Sequence, residues 1–280
     1  MDDVQVTQIK EQKFQRPRLR ERNRADYLMM VILIFAIVIT IYTVIFRIEY
    51  RWDYFNANIA AEIASNFIRF DLVENAKKIE ILLSLLNTLA LGFVTTILGL
   101  IVGLIFGLFA ARNLTNGFAP LLIRSTASLV RAVPTIIWVL IFVAGYGLTS
   151  TTAIVGMFFH TFAFFTKSFA EAFEEVDAGT IEALKASGAN WHQIVFGAVF
   201  PSSLTKIISW IAIRNEINFG VAVVIGPAAG VPGTIGTLIN NASRGGEYSV
   251  QGFGVFMIFL TALLMELLIN FIRQKSIIVE

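Results

Sequence analysis

"IEALKASGANWHQIVFGAVFP" (residues 181–201) lies between two long apolar stretches, yet it holds a Glu, a Lys, a His, an Asn and two glycines. Its punctuation is that of short helices. Thr180 is placed to cap a helix running to about Ser187, and Gly188 supplies the left-handed residue that ends it. Asn190, with Gln193 three residues on, forms a second capping pair. Pro201 opens the next apolar stretch. Trp191, Ile194, Val195 and Phe196 would hold the pair of helices near a membrane, while Ala183 and Ala186 leave a shallow face that another protein's groove could approach closely. From the residues alone the segment reads either as a docking knob or as an amphipathic connector between two spans.

The rest of the chain says which kind of protein carries it. Of 280 residues, 56% are hydrophobic and only 15% charged, and the mean hydropathy is +0.72. That balance is well to the apolar side of soluble proteins and marks an integral membrane protein. A net charge of +2, with no Lys/Arg block interleaved with aromatics, gives nucleic acid nothing to bind. The absence of cysteine removes disulfides, thiolate metal sites and a cysteine nucleophile, and two separated histidines make no metal cluster. No serine has a positioned base, so no catalytic constellation is expected.

A spanning helix needs about 20 apolar residues. Six stretches qualify, at roughly 28–46, 81–110, 121–145, 152–172, 203–225 and 250–272, which predicts an all-α, six-span polytopic domain over 28–280 preceded by a basic segment, 1–27. The run 28–46 is longer than a signal-peptide core and "RIEY" after it offers no cleavage site, so it is expected to remain as the first span. Lys10, Lys13, Arg16, Arg18, Arg20, Arg22 and Arg24 put the preceding segment in the cytoplasm by the positive-inside rule, and Arg273 and Lys275 agree at the other end. Both termini are then cytoplasmic. The mixed loop 47–80 and the segment 226–249 face outward; the Arg112 loop and 173–202 face the cytoplasm.

Several spans carry charge. In 203–225, eleven Leu, Ile, Val and Phe residues favour insertion by roughly 3–7 kcal/mol, against roughly 5–7 kcal/mol for Arg214 and Glu216. Such a helix must face protein or water along part of its surface. One face reads Ile207, Ile211, Arg214, Asn218 and another Ser209, Ala212, Glu216, Gly220. The second suits close helix packing, which leaves Arg214 and Asn218 as candidates for a translocation route. Arg124, Ser128, Arg131 and Thr135 form a second polar stripe, with Pro134 able to kink the helix, and Gly156, His160, Ala163 and Lys167 a third. Arg131, Lys167, Arg214 and Asn218 are the pathway candidates, and three cationic faces suit an anionic solute. The alternative is that these cations neutralise Glu171, Glu174, Glu216 or Glu266, with Arg124 reaching only the cytoplasmic interface. His160 and His192 read as packing and interfacial residues, and Gly92, Gly99, Gly103 and Gly107 as close helix contacts.

Glu182-Ala183-Leu184, with Gly188 six residues after the Glu and Pro201 thirteen after that Gly, resembles the EAA–Gly motif of binding-protein-dependent ABC importer permeases. "AARN" at 110–113, "RAVPTIIWVLIFVAGYGL" at 131–148, "KSFAEAFEEVDAGTIEALKASGA" at 167–189 and "RNEIN" at 214–218 extend the resemblance to the phosphonate importer branch, over about 81–275. Two departures stand out: "AVF" before Pro201, and "GPAAGVPGTIG" in place of a shorter glycine-rich external loop.

The resemblance implies that 177–200 forms coupling helices seated in a separate ATPase, with Glu182, Ala183, Lys185, Gly188 and Pro201 as the motif residues. It implies a homodimer in the bilayer, a dimer of ATP-binding subunits that carry the ATP and Mg, an external binding protein, and phosphonate or a related oxyanion as cargo. The chain has no Gly-Lys pair, hence no phosphate-cradling loop of its own. A permease for another small solute is the near alternative. A stand-alone channel or gradient-driven carrier is the distant one, and the chain shows no inverted repeat.

Overall fold

The computed structural model describes residues 24–51 and 55–277. The cationic residues 10–22 and the side chains of Arg273 and Lys275 lie outside what is described. Among the described residues every regular element is helical. The chain divides into two compact units, 1–57 and 58–280. In the first unit, α1 (Arg24–Phe46) is a single apolar helix of 23 residues, long enough to cross a bilayer.

The second unit is a bundle of helices. α2 (Ala57–Phe67) and a short 3-10 turn lead into α3 (Asn75–Ala110); α4 (Ala119–Ala132), α5 (Thr135–Tyr146) and α6 (Ser150–Glu174) follow. Lipid is as apolar as leucine, so helices in it associate by close packing. α3 shows how: a Cβ on Gly99 would lie 2.5 Å from Thr161 Cγ2, one on Gly103 would collide with the Phe165 Cβ, and one on Gly107 would lie 2.9 Å from the Phe169 Cβ. Glycines every four residues thus meet α6 residues every four, and Phe165, Phe169 and Phe173 are fully buried. Gly92 makes the same kind of approach to the Phe219 backbone.

The stretch 121–145 is not one helix. α4 and α5 meet at an 83° bend. Val133 and Pro134 are both extended, at ψ 123° and 141°, because proline disfavours helical backbone in the residue before it and donates no hydrogen bond itself. Trp138 Nε1 donates to the Val130 carbonyl across the break at 3.1 Å, and Val139 packs so tightly on Gly156 that a Cβ there would lie 2.5 Å from the Val139 Cα. Gly156 therefore serves contact with α5, not a polar stripe.

The remaining helices are α7 (Ala178–Ala186), α8 (Trp191–Ile194), α9 (Phe200–Ala228), α10 (Ile235–Arg244) and α11 (Tyr248–Ile277). A π-helical turn, Val195–Val199, joins α8 to α9 so that 191–228 is one continuous helix of 38 residues. Pro201 explains the wide turn. It has no N–H, and its ring would crowd the carbonyl four residues back.

Candidate functional site

The polar segment between α6 and α9 folds as two helices, with two corrections. Asp177, not Thr180, caps α7: its carboxylate accepts from the Thr180 N–H at 2.7 Å and from the Thr180 hydroxyl at 3.1 Å. The second helix is no free-standing piece but the first turn of the long α8–α9 helix. Gly188 ends α7 at φ +83°, a left-handed conformation that costs glycine least. Asn190 and Gln193 close a reciprocal capping box, Gln193 N–H to Asn190 Oδ1 at 3.0 Å and Asn190 N–H to Gln193 Oε1 at 2.8 Å.

Burial divides the segment into an anchored side and a free side. Ile181, Ile194 and Val199 are buried in one cluster with Phe165, Phe169 and Phe173. Trp191 donates to the Leu114 carbonyl at 3.1 Å and stacks on Phe109. Phe196 is exposed. Glu182, Ala183, Lys185, Ala186, Gly188 and Pro201 are all exposed. The anchored side is bolted to the bundle by the α6 end, where Ser203 donates to the Ala172 carbonyl at 3.2 Å and Lys206 pairs with Glu175.

Mid-bundle, the two faces of α9 are arranged opposite to expectation. The small-residue face is open at Gly220, which is exposed with nothing within 4 Å of a built Cβ, while Ser209, Ala212 and Glu216 are half-buried. The cationic face is packed, with Arg214 only 3% and Asn218 0% exposed. A polar chain crosses three helices here. Arg214 Nη2 donates to Thr161 Oγ1 at 3.0 Å and to His160 Nδ1 at 3.2 Å. The Thr161 hydroxyl directs its one hydrogen between the Met157 carbonyl, 2.8 Å, and Asn218 Oδ1, 3.1 Å. Asn218 Nδ2 donates to Thr96 Oγ1 at 2.9 Å. The chain ties α6, α9 and α3 together.

None of the ion pairs among the described residues involves Arg131, Lys167 or Arg214. Arg214 Nε has no partner. The guanidinium lies 5.1 Å from the Phe164 ring centroid, and Arg131, which is exposed, lies 5.5 Å from the same ring. Such contacts stabilise by about 0.5–2 kcal/mol. Lys167 donates to Ser128 Oγ at 3.2 Å. Glu174 pairs with Arg124, which therefore does more than reach the interface. Phe164, Thr161 and Thr96 were not singled out from the sequence; threonines in apolar helices are common and mostly bond their own backbone, so only the neighbouring His160 pointed here.

The fold and this arrangement define a polytopic, all-helical membrane transport component. Residues 103–275 match the model of the family described as binding-protein-dependent transport system inner membrane component, and the chain belongs to that family. It is 29% identical over 68% of its length to the phosphate-import permease PhnE of Mycolicibacterium smegmatis, and 32% identical over 51% to the phosphite transport permease PtxC of Stutzerimonas stutzeri. The matches span 36% and 52% of those two proteins, about a third and a half of their lengths. It is also 29% identical over 69% of its length to a probable D-methionine permease, MetI of Pasteurella multocida, covering 94% of that chain. Among solved structures, the inward-facing MetNI methionine ABC transporter shares the fold at TM-score 0.66 and 21% identity, over 73% of this chain and 99% of that one. A bacterial ABC transporter that imports alginate does so at TM-score 0.60 and 14% identity, over 90% and 96%.

Proposed function

We propose that this chain is the membrane-spanning permease subunit of an ATP-driven importer, moving phosphonate or a related phosphorus oxyanion inward by alternating access. The observation that carries the reading is the coupling segment: α7 exposes Glu182, Ala183 and Lys185 while Ile181 and Ile194 anchor it to the bundle. A separate ATPase dimer seats 177–200 and supplies ATP and Mg; two copies of this chain enclose the route, and an external binding protein delivers the solute. Both termini are cytoplasmic, in the bacterial inner membrane. The chain itself catalyses no reaction.

Arg131 and Lys167 line the route, with Arg214 adding positive potential from behind Phe164 and Asn218 holding it in place. The relatives named for phosphate and phosphite support an oxyanion, as do three cations without a carboxylate partner among the described residues. The methionine relative supports the second reading, an ABC permease for another small solute. A stand-alone channel would have no use for an exposed, capped helix pair.

The test is Gly188→Val and Glu182→Lys. A branched side chain opposes the left-handed turn, and the charge reversal disturbs the docking helix. Both variants are expected to abolish uptake at normal permease levels. Wild-type uptake in both would reduce the segment to a connector.

A further inference from the structure

Glu174 ends α6, and its carboxylate holds two elements at once. Oε1 accepts the Arg112 backbone N–H at 2.7 Å, and Oε2 pairs with Arg124 Nη2 on α4 at 2.8 Å. The two side chains are 26% and 18% exposed, so this ion pair is less screened than a surface one. Arg124 Nε also donates to the Ala110 carbonyl at the end of α3, at 2.8 Å.

The turn that Glu174 grips is the same turn that α8 touches. Trp191 Nε1 donates to the Leu114 carbonyl at 3.1 Å, and Asn113 Nδ2 donates to the Phe173 carbonyl at 2.7 Å. A shift of α8 is therefore delivered to residues 111–114. From there the Glu174–Arg124 pair reaches α4, whose Arg131 stands seven residues, about 10 Å, further along the helix. α4 ends at the 83° break, so it is an element separate from α5.

We infer that Glu174 is a positioning residue for energy coupling: it makes α4, and with it Arg131, follow the coupling helix. The inference rests on the importer reading. A carboxylate that only braced the fold would lower the amount of permease, not the work obtained per ATP.

The experiment uses the full complex, this chain with its ATPase and binding protein, in proteoliposomes. Uptake of radiolabelled methylphosphonate, phosphite and inorganic phosphate is measured beside ATP hydrolysis, each per assembled complex. Glu174→Gln keeps an acceptor for Arg112 but loses the charge; hydrolysis is expected within about twofold of wild type, with solute moved per ATP down about fivefold or more. Arg124→Gln should match it, Arg124→Lys should keep most of the coupling, and the double variant should be no worse than either single one, as for residues acting as a unit. If Glu174→Gln does not assemble, Arg124→Gln and Arg124→Lys carry the comparison.

Wild-type solute per ATP in Glu174→Gln and Arg124→Gln overturns the inference, and so does a proportional fall in hydrolysis and transport. A wild-type complex without ATP-driven uptake of any of the three solutes sinks the importer reading instead.

Discussion

Arg131 and Arg214 approach one aromatic ring, that of Phe164, and their guanidinium carbons therefore lie within about 11 Å of each other. At that separation two like charges repel by roughly 1.5 kcal/mol at an effective dielectric constant near 20. No carboxylate among the described residues pairs with either. An anion reaching the exposed Arg131 relieves the repulsion. In the route proposed above, Arg214, held behind the ring by Thr161 and His160, would add its field without touching the solute.

Arg214→Gln is the first consequence. Removing a charge that has a carboxylate partner strands that partner, at a cost of about 3–5 kcal/mol; among the described residues Arg214 has no such partner. The complex is expected to assemble, with transport per complex lowered about tenfold and partly kept in Arg214→Lys, a point charge without the fork. The amount of intact complex and the uptake rate are read together. Full assembly with normal uptake would remove Arg214 from both roles.

Thr161 is the hub of the transverse polar chain. Thr161→Val leaves Arg214 Nη2 and Asn218 Oδ1 each short of a partner, which costs about 1–3 kcal/mol. Thr166 is equally buried, but its hydroxyl bonds only the Phe162 carbonyl one turn back, so Thr166→Val should cost less than Thr161→Val. Thermal unfolding of the two purified variants gives the comparison. Equal midpoints would mean the chain across α3, α6 and α9 contributes nothing.

The long apolar helices, the short capped helices α7 and α8 and the glycine ridge of α3 were legible because each has a local cause: an apolar run, a cap, a left-handed residue, a spacing of four. The orientation of α9 was not. Residues 207, 211, 214 and 218 form one stripe and 209, 212, 216 and 220 another, but which stripe meets α6 depends on the partners Thr161 and Thr96, more than fifty residues away in the chain. The break at Pro134 was visible as a kink; its 83° size was not, because Val139 packing on Gly156 helps set it. Asp177 and Thr180 compete for one cap three residues apart, and the carboxylate, the stronger acceptor, takes it.

The two faces of the bundle predict opposite responses to bulk. Gly103→Leu drives a side chain into the Phe165 Cβ and the Phe162 carbonyl and should destabilise the chain by about 1–3 kcal/mol or more. Gly220→Leu meets nothing within 4 Å in this chain and should leave its fold intact. Thermal melts in detergent test both. A Gly220 variant that unfolds as readily as the Gly103 variant would contradict the assignment of the open face.

Orientation in the membrane is checked by labelling, since the chain contains no cysteine. His192 is exposed on the coupling segment, so a cysteine in its place should react with an impermeant maleimide only in inverted vesicles or broken cells. Reaction from outside intact cells would reverse the whole topology.

The central claim is that ATP hydrolysis on a separate subunit drives a phosphorus oxyanion through this chain. Uptake of radiolabelled methylphosphonate, phosphite, phosphate and methionine into proteoliposomes containing the full complex tests it most directly, with and without ATP at the ATPase. The account predicts ATP-dependent accumulation of at least one of the three phosphorus oxyanions, dependence on the binding protein, and none for methionine. Flux that proceeds without ATP, or ATP-driven accumulation of methionine alone, would contradict it.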